Sequence, residues 1–74
     1  MLIYLVISHF ISGNSCIDGV YSDLLRAKVE MSFSIMGENI IRKDIDCLYN
    51  KQGDRFYIEI WDSNTGNKFG LVRL

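Results

Sequence analysis

The chain has 74 residues, eight basic and nine acidic side chains, a net charge of −1 and 49% hydrophobic residues. This length predicts one domain, residues 1–74, which buries a smaller share of its surface than a larger protein does. The near-neutral, interspersed charge argues against a nucleic-acid interface and against charge-driven membrane binding, because both need a basic patch. The high apolar content instead favours a face that a second copy or another protein covers.

The first predicted element is a strand over residues 2–10, where both alternating sets of side chains are apolar. A strand that is apolar on both faces is typically central and covered on both sides. The run has no preceding Lys or Arg and is far shorter than the roughly 20 residues that span a bilayer. We therefore expect a cytoplasmic protein. Residues 12–15 predict a turn, and residues 16–21 predict a second strand or the entry to a helix.

A helix is predicted over residues 23–36. Ser22 is the expected N-cap, and the negative charge of Asp23 suits the helix N-terminus. Apolar residues at spacings of three and four form one stripe, Leu24, Ala27, Met31 and Ile35, which Leu25, Val29 and Met36 are expected to widen. Gly37 predicts the point where the chain leaves the helix.

Residues 38–50 permit two interpretations. Ile41, Ile45, Leu48 and Tyr49 match helical spacing. The polar turn at residues 50–54 instead predicts a hairpin with the strand that follows. We expect a loop or short helical turn over residues 38–44 and a strand near residues 45–50.

The last third of the chain predicts two more strands. Residues 55–62 alternate between an apolar set and a set that contains Arg, Tyr, Glu and Trp. A polar turn at residues 63–67 separates this strand from a final one at residues 68–74. The element order predicts an α+β fold, with a small antiparallel or mixed sheet of four to five strands and one main helix packed on one face.

Four short segments of the chain follow one another in a recognisable order: Tyr4-Leu5-Val6, then Ile17-Asp18-Gly19-Val20-Tyr21-Ser22, then Ala27, and later Phe56-Tyr57-Ile58-Glu59. This pattern covers about half of the chain and resembles a group of small uncharacterised accessory proteins of phages and bacteria. The resemblance implies a small accessory protein, often phage-encoded, without a known catalytic site. It assigns no functional residue.

The sequence contains few candidate catalytic or metal-ligating residues. His9 as general base with Cys16 as nucleophile is the one conceivable catalytic pair, and a histidine at a strand end that makes one ordinary hydrogen bond is the simpler interpretation. Cys16 and Cys47 lack zinc-site spacing and are expected to be reduced core thiols. Asp44 and Asp46 do not continue into a calcium-binding loop. We expect no enzymatic activity, no cofactor and no metal.

The candidate binding surface is the second face of the strand at residues 55–62. Arg55, Tyr57, Glu59 and Trp61 alternate along it, and Tyr49 on the paired strand extends it. Trp, Tyr and Arg are enriched at binding hot spots. This face points outward unless residues 38–44 or the C-terminal tail form a second layer over it.

These residues predict a non-catalytic protein that binds and inhibits a host protein, such as a component of a bacterial defence system. The alternative is an oligomer that binds a small molecule or nucleotide at a subunit interface lined by Arg55, Tyr57 and Trp61. We also expect a homodimer, or a higher even-numbered oligomer, through Tyr57 and Trp61, joined by Phe69 or Leu71. The edge of the last strand is the second possible interface.

Overall fold

Six strands and one helix make up the computed structural model, which describes residues 1–74. The elements are β1 Leu2–His9, β2 Ser15–Tyr21, α1 Leu24–Ser34, β3 Ile40–Lys43, β4 Leu48–Asn50, β5 Arg55–Asp62 and β6 Lys68–Leu71. The strands form one antiparallel sheet in the order β2-β1-β5-β4-β3, and β6 pairs with β5. This confirms the α+β class with one helix on a sheet. The sheet has more strands than predicted, because residues 40–43 pair with β4 and are neither loop nor helical turn.

The pairing of β1 with β5 forms the centre of the sheet. It is unbroken from Leu2 opposite Asp62 to His9 opposite Arg55. The other edge of β5 is shared between two strands, since its first residues pair with β4 and its later residues with β6. Strands β1 and β5 are therefore the two central strands of the sheet, and β5 pairs with three strands, β1, β4 and β6.

Helix α1 covers one face of this sheet. Ala27 and Met31 are buried against Val6, Phe56 and Ile58 of the central strands. Leu24 and Ile35 pack beside them. The predicted apolar stripe of the helix is thus confirmed.

Three details of the predicted helix are wrong. Leu25 and Val29 do not widen the buried stripe but are exposed, because 100° per residue places them on the side away from the sheet, and Met36 is exposed beyond the end of the helix. The N-cap is Asp23 and not Ser22, since the Asp23 carboxylate accepts a hydrogen bond of 3.1 Å from the Leu25 N–H. The helix ends at Ser34, and Gly37 adopts φ +84° in the turn that follows.

The expectation that β1 is covered on both faces is wrong as well. The strand is central, but α1 lies on one side of it and no element lies on the other. The core-thiol prediction holds for Cys47, which is buried, and fails for Cys16, which is exposed on the edge strand β2; neither forms a disulfide. No helix in the structure has the length and apolar character needed to cross a membrane.

A small polar network fixes the turn between β4 and β5. Buried Asn50 donates to Glu38 at 2.9 Å and to Asp54 at 3.0 Å, and its side-chain oxygen accepts from the Asp54 N–H. The Asp54 carboxylate also accepts from the Ile11 N–H at 2.9 Å. These hydrogen bonds, first that from Ile11 and then that from Asn50, lower the pKa of Asp54. The Asn50 amide and the Asp54 carboxylate therefore join three loops, those that contain Ile11, Glu38 and Asp54.

We predict that Ile58→Ala lowers the free energy of unfolding by about 2–5 kcal/mol, because it leaves a cavity at the fully buried centre of the core. Ile17→Ala is the matched control, since Ile17 is largely exposed and surface substitutions usually stay within about 0.5 kcal/mol. Urea denaturation followed by far-UV circular dichroism measures both. Equal losses for the two variants would contradict the assignment of the core.

We predict that Asp54→Asn flattens the acid limb of the stability profile. A carboxyl whose folded pKa is lowered contributes stability above its unfolded pKa of about 3.9 and loses it as the pH falls through the folded value. The native chain should therefore lose stability more steeply than the variant below about pH 4. Urea midpoints measured from pH 6 to pH 2.5 compare the two, and parallel curves would exclude the role of Asp54.

Candidate functional site

The face of the sheet opposite α1, called here the helix-free face, carries the predicted binding residues. In the register of β1 with β5, Ile3 pairs with Trp61, Leu5 with Glu59 and Ile7 with Tyr57. Paired residues in an antiparallel sheet share a face, and their neighbours Val6 and Ile58 point to α1. The structure therefore brings the alternating set of β5 together with the second apolar set of β1.

No second layer covers the helix-free face. Residues 38–44, one of the two segments that could have covered it, contain β3, which lies at the far edge of the sheet. The C-terminal tail, the other, continues the sheet as β6, and Val72 turns into the core on the helix side. The face is therefore open to a partner.

The centre of the helix-free face is apolar and its flank is exposed. Ile7 is buried by its neighbours within the sheet, and Tyr57 and Trp61 are half-buried. On β2, Ile17 pairs with Ile7 and Val20 pairs with Leu5, so they extend the same face. Ile17 is 60% and Val20 56% exposed, which makes β2 the most accessible apolar part of this surface.

One charged group lies within this apolar centre, and the chain itself neutralises it. The Glu59 carboxylate is 2.8 Å from the Lys68 ammonium and accepts a 3.2 Å hydrogen bond from the Trp61 indole N–H. Burying a charge is costly when it lacks partners. Because Glu59 already has two, a partner can cover this part of the face without supplying a group for it.

Tyr49 lies at one end of the helix-free face, where it pairs with Arg55 and with Arg42 of β3. The Arg42 guanidinium stacks 3.8 Å from the centre of the Tyr49 ring and reaches Asp44 at 3.1 Å. A hydrogen bond with Cys47 and partial desolvation raise the pKa of Tyr49, while Arg42 opposes the shift. Hydrogen bonds to Tyr49 and Asp44 raise the pKa of Arg42.

Arg42 is a site residue that the sequence analysis missed. Its place beside Tyr49 depends on the pairing of β3 with β4, and four residues between two turns give no alternating pattern long enough to predict that pairing. His9 pairs with Arg55 and faces the same way. The helix-free face therefore has an apolar centre and a basic end formed by Arg42 and Arg55, with His9 beside them.

The conceivable catalytic pair is not brought together. His9 is on the helix-free face, where its Nδ1 lies 2.9 Å from the Ser15 hydroxyl. Cys16 pairs with Ser8 and therefore points to the opposite face. No three His, Cys, Asp or Glu side chains are grouped closely enough to hold a metal ion.

The cavity of the molecule, about 220 Å³, lies on the helix side. It is lined by Lys28, Met31, Ser32, Ile35, Leu48 and Leu74, and by none of the predicted binding residues. Comparison of the chain with protein-family models, with curated proteins and with solved structures gives no match. The functional argument therefore rests on the geometry of the two faces and on the sequence resemblance.

We predict that Glu59→Gln changes the free energy of unfolding by no more than about 1 kcal/mol, because its ion pair with Lys68 is partly exposed. The substitution keeps an acceptor for the Trp61 indole but removes the charge. Fluorescence of Trp61, the one tryptophan of the chain, should report an intact native state in urea titrations. A loss of several kcal/mol would show that Glu59 is a structural group and not a satisfied part of a binding surface.

Proposed function

We propose that this protein is a small, non-catalytic interaction protein that binds a host protein through its helix-free face and inhibits it. The observation that supports this best is the open apolar centre around Tyr57 and Trp61 on a face that no part of the chain covers. Contiguous exposed apolar surface on a soluble domain typically marks an interaction site. Aromatic anchors flanked by arginine are the composition of binding hot spots.

The charges around the face suggest what the partner offers. Arg42 and Arg55 lie together at one end, and Glu59 in the centre is already paired. A partner with an apolar patch and a carboxylate-bearing rim would complement this distribution, and the rim charges would mainly accelerate association. The host protein is therefore expected to present an acidic edge beside an apolar patch.

The biological setting follows from the resemblance to small phage and bacterial accessory proteins. We propose that the protein acts in the cytoplasm of a bacterial host and that its target is a component of a defence system. Inhibition needs no catalytic residue, since occupation of the target's working surface is sufficient. The separation of His9 from Cys16 across the sheet agrees with a non-catalytic role.

We predict that a stoichiometric partner co-purifies with the native chain from bacterial lysate and is lost with Trp61→Ala and with Arg55→Glu. Mass spectrometry of the eluates identifies it. With the identified protein in hand, Trp61→Ala should weaken binding about 30-fold or more, which corresponds to the roughly 2 kcal/mol of a hot-spot residue.

The matched control for Arg55→Glu is Lys51→Glu, the same charge reversal at an exposed residue in the turn between β4 and β5. It should retain the partner with unchanged affinity. Recovery of the same proteins by all four chains, or of no stoichiometric protein by the native chain, would refute the proposed function.

A further inference from the structure

The cavity on the helix side, called here the helix-side cavity, is lined by aliphatic side chains from two directions. Helix α1 contributes Met31 and Ile35, which lie four residues apart and therefore on one face of the helix. The strand side contributes Leu48 of β4 and Leu74. No aromatic ring lines the cavity. Its walls therefore suit a hydrocarbon chain better than a planar ring that needs a stacking partner.

The one hydroxyl in the lining already has a partner. The Ser32 hydroxyl donates to the Val29 carbonyl at 2.6 Å, within the same helix. An apolar group placed in the cavity therefore leaves no donor of this hydroxyl unpaired.

Two lysines flank the helix-side cavity from opposite walls. Lys28 lines it from α1, one turn before Met31. Lys43 of β3 pairs with Leu48, which in turn pairs with buried Phe56 beneath the helix. Paired residues share a face, with Cβ atoms about 5 Å apart, so Lys43 lies beside Leu48 on the outer side of the cavity. Both lysines are exposed, and the mouth of the cavity is therefore cationic.

The chain does not neutralise these two charges with an ion pair, since neither lysine forms one. Asp44, the neighbour of Lys43 in the chain, is bound to Arg42 at 3.1 Å. Glu30, the one acidic residue of α1, lies beside Tyr21 on the β2 side of the helix, away from the cavity. An anionic group at the mouth would therefore find two free ammonium groups.

We propose that the helix-side cavity binds a medium-chain aliphatic carboxylate. The alkyl chain lies among Met31, Ile35, Leu48 and Leu74, and the carboxylate lies at the mouth, where the two flanking lysines supply the opposite charge. An aliphatic lining beneath a cationic mouth is complementary to this class of ligand in both shape and charge. The site is on the opposite side of the sheet from the helix-free face and does not depend on the proposed function.

The volume of the cavity sets the length of the alkyl chain. An apolar protein cavity of about 150 Å³ can hold benzene. On the same scale the helix-side cavity, at about 220 Å³, holds about nine non-hydrogen atoms. The alkyl chain of octanoate is of about this size, and its carboxylate would remain at the mouth. For so small a ligand we expect a dissociation constant on the order of 100 µM.

We predict that octanoate binds the native, isotope-labelled chain with one-to-one stoichiometry. Methyl NMR spectra should show saturable shifts at Met31, Ile35, Leu48 and Leu74, because these side chains line the cavity. Butyrate has too short a chain and octylammonium has the wrong charge, so both should bind about tenfold more weakly or not at all. These measurements need no substitution and therefore cannot be confused with a folding defect.

The head group is tested with exposed lysines. Lys28→Gln and Lys43→Gln should each weaken octanoate binding about threefold, and the double variant about tenfold. The matched control is Lys51→Gln, the same change at an exposed lysine in the turn between β4 and β5, which should keep the native affinity.

Four outcomes would overturn the proposal: no saturable shifts with octanoate, shifts centred on Tyr57 and Trp61, equal binding of octylammonium, or unchanged affinity in the double variant. None of these titrations contains the host partner, so their failure would leave the proposed function to its own test.

Discussion

The structure depends on one constraint: a single short helix is the only element that covers its six-stranded sheet. The 11 residues of α1 cover β2, β1 and β5 on one side of the sheet, and nothing covers the other side. The core that results is small, with Val6, Phe56 and Ile58 at its centre. A chain that encodes an apolar set on both faces of β1 and both sides of α1 has more apolar surface than its own elements can enclose. The excess lies on the helix-free face and on the outer side of α1, at Leu25, Val29 and Phe33.

The polar groups beside both surfaces already have partners within the chain. Every buried side-chain nitrogen or oxygen has a hydrogen-bond partner. Glu59 is paired within the apolar centre of the helix-free face, and Ser32 is hydrogen-bonded to its own helix beside the cavity. Because unpaired polar groups dominate the cost of covering a surface, these internal bonds leave the hydrophobic gain of association largely intact.

The long patterned elements could be predicted from the sequence and the short paired ones could not. The bounds of β5 and the buried stripe of α1 follow from alternation over eight residues and from spacings of three and four. The strand β3 has four residues, and its existence depends on pairing with β4, a contact that no local pattern encodes. Arg42 was missed for that reason, although it completes the basic end of the candidate site.

The burial of particular side chains was predicted less well than the elements that hold them. Leu25, Val29 and Met36 are as apolar as core residues. Hydrophobicity alone does not distinguish a side chain in the core from one on an exposed apolar surface. Cys16 was expected inside, yet it lies on an edge strand. The same ambiguity affects β1, whose doubly apolar pattern is typical of a covered strand. In each case the sequence pattern does not tell which apolar side chains the fold leaves exposed.

The two uncovered surfaces lie on opposite sides of one sheet, and this geometry determines how two association events combine. If both used the helix-free face, self-association and partner binding would compete, and a dimer would be inactive. A partner on the helix-free face leaves Leu25, Val29 and Phe33 of α1 exposed, because these side chains lie on the other side of the sheet. Covering one of the two surfaces therefore does not block the other.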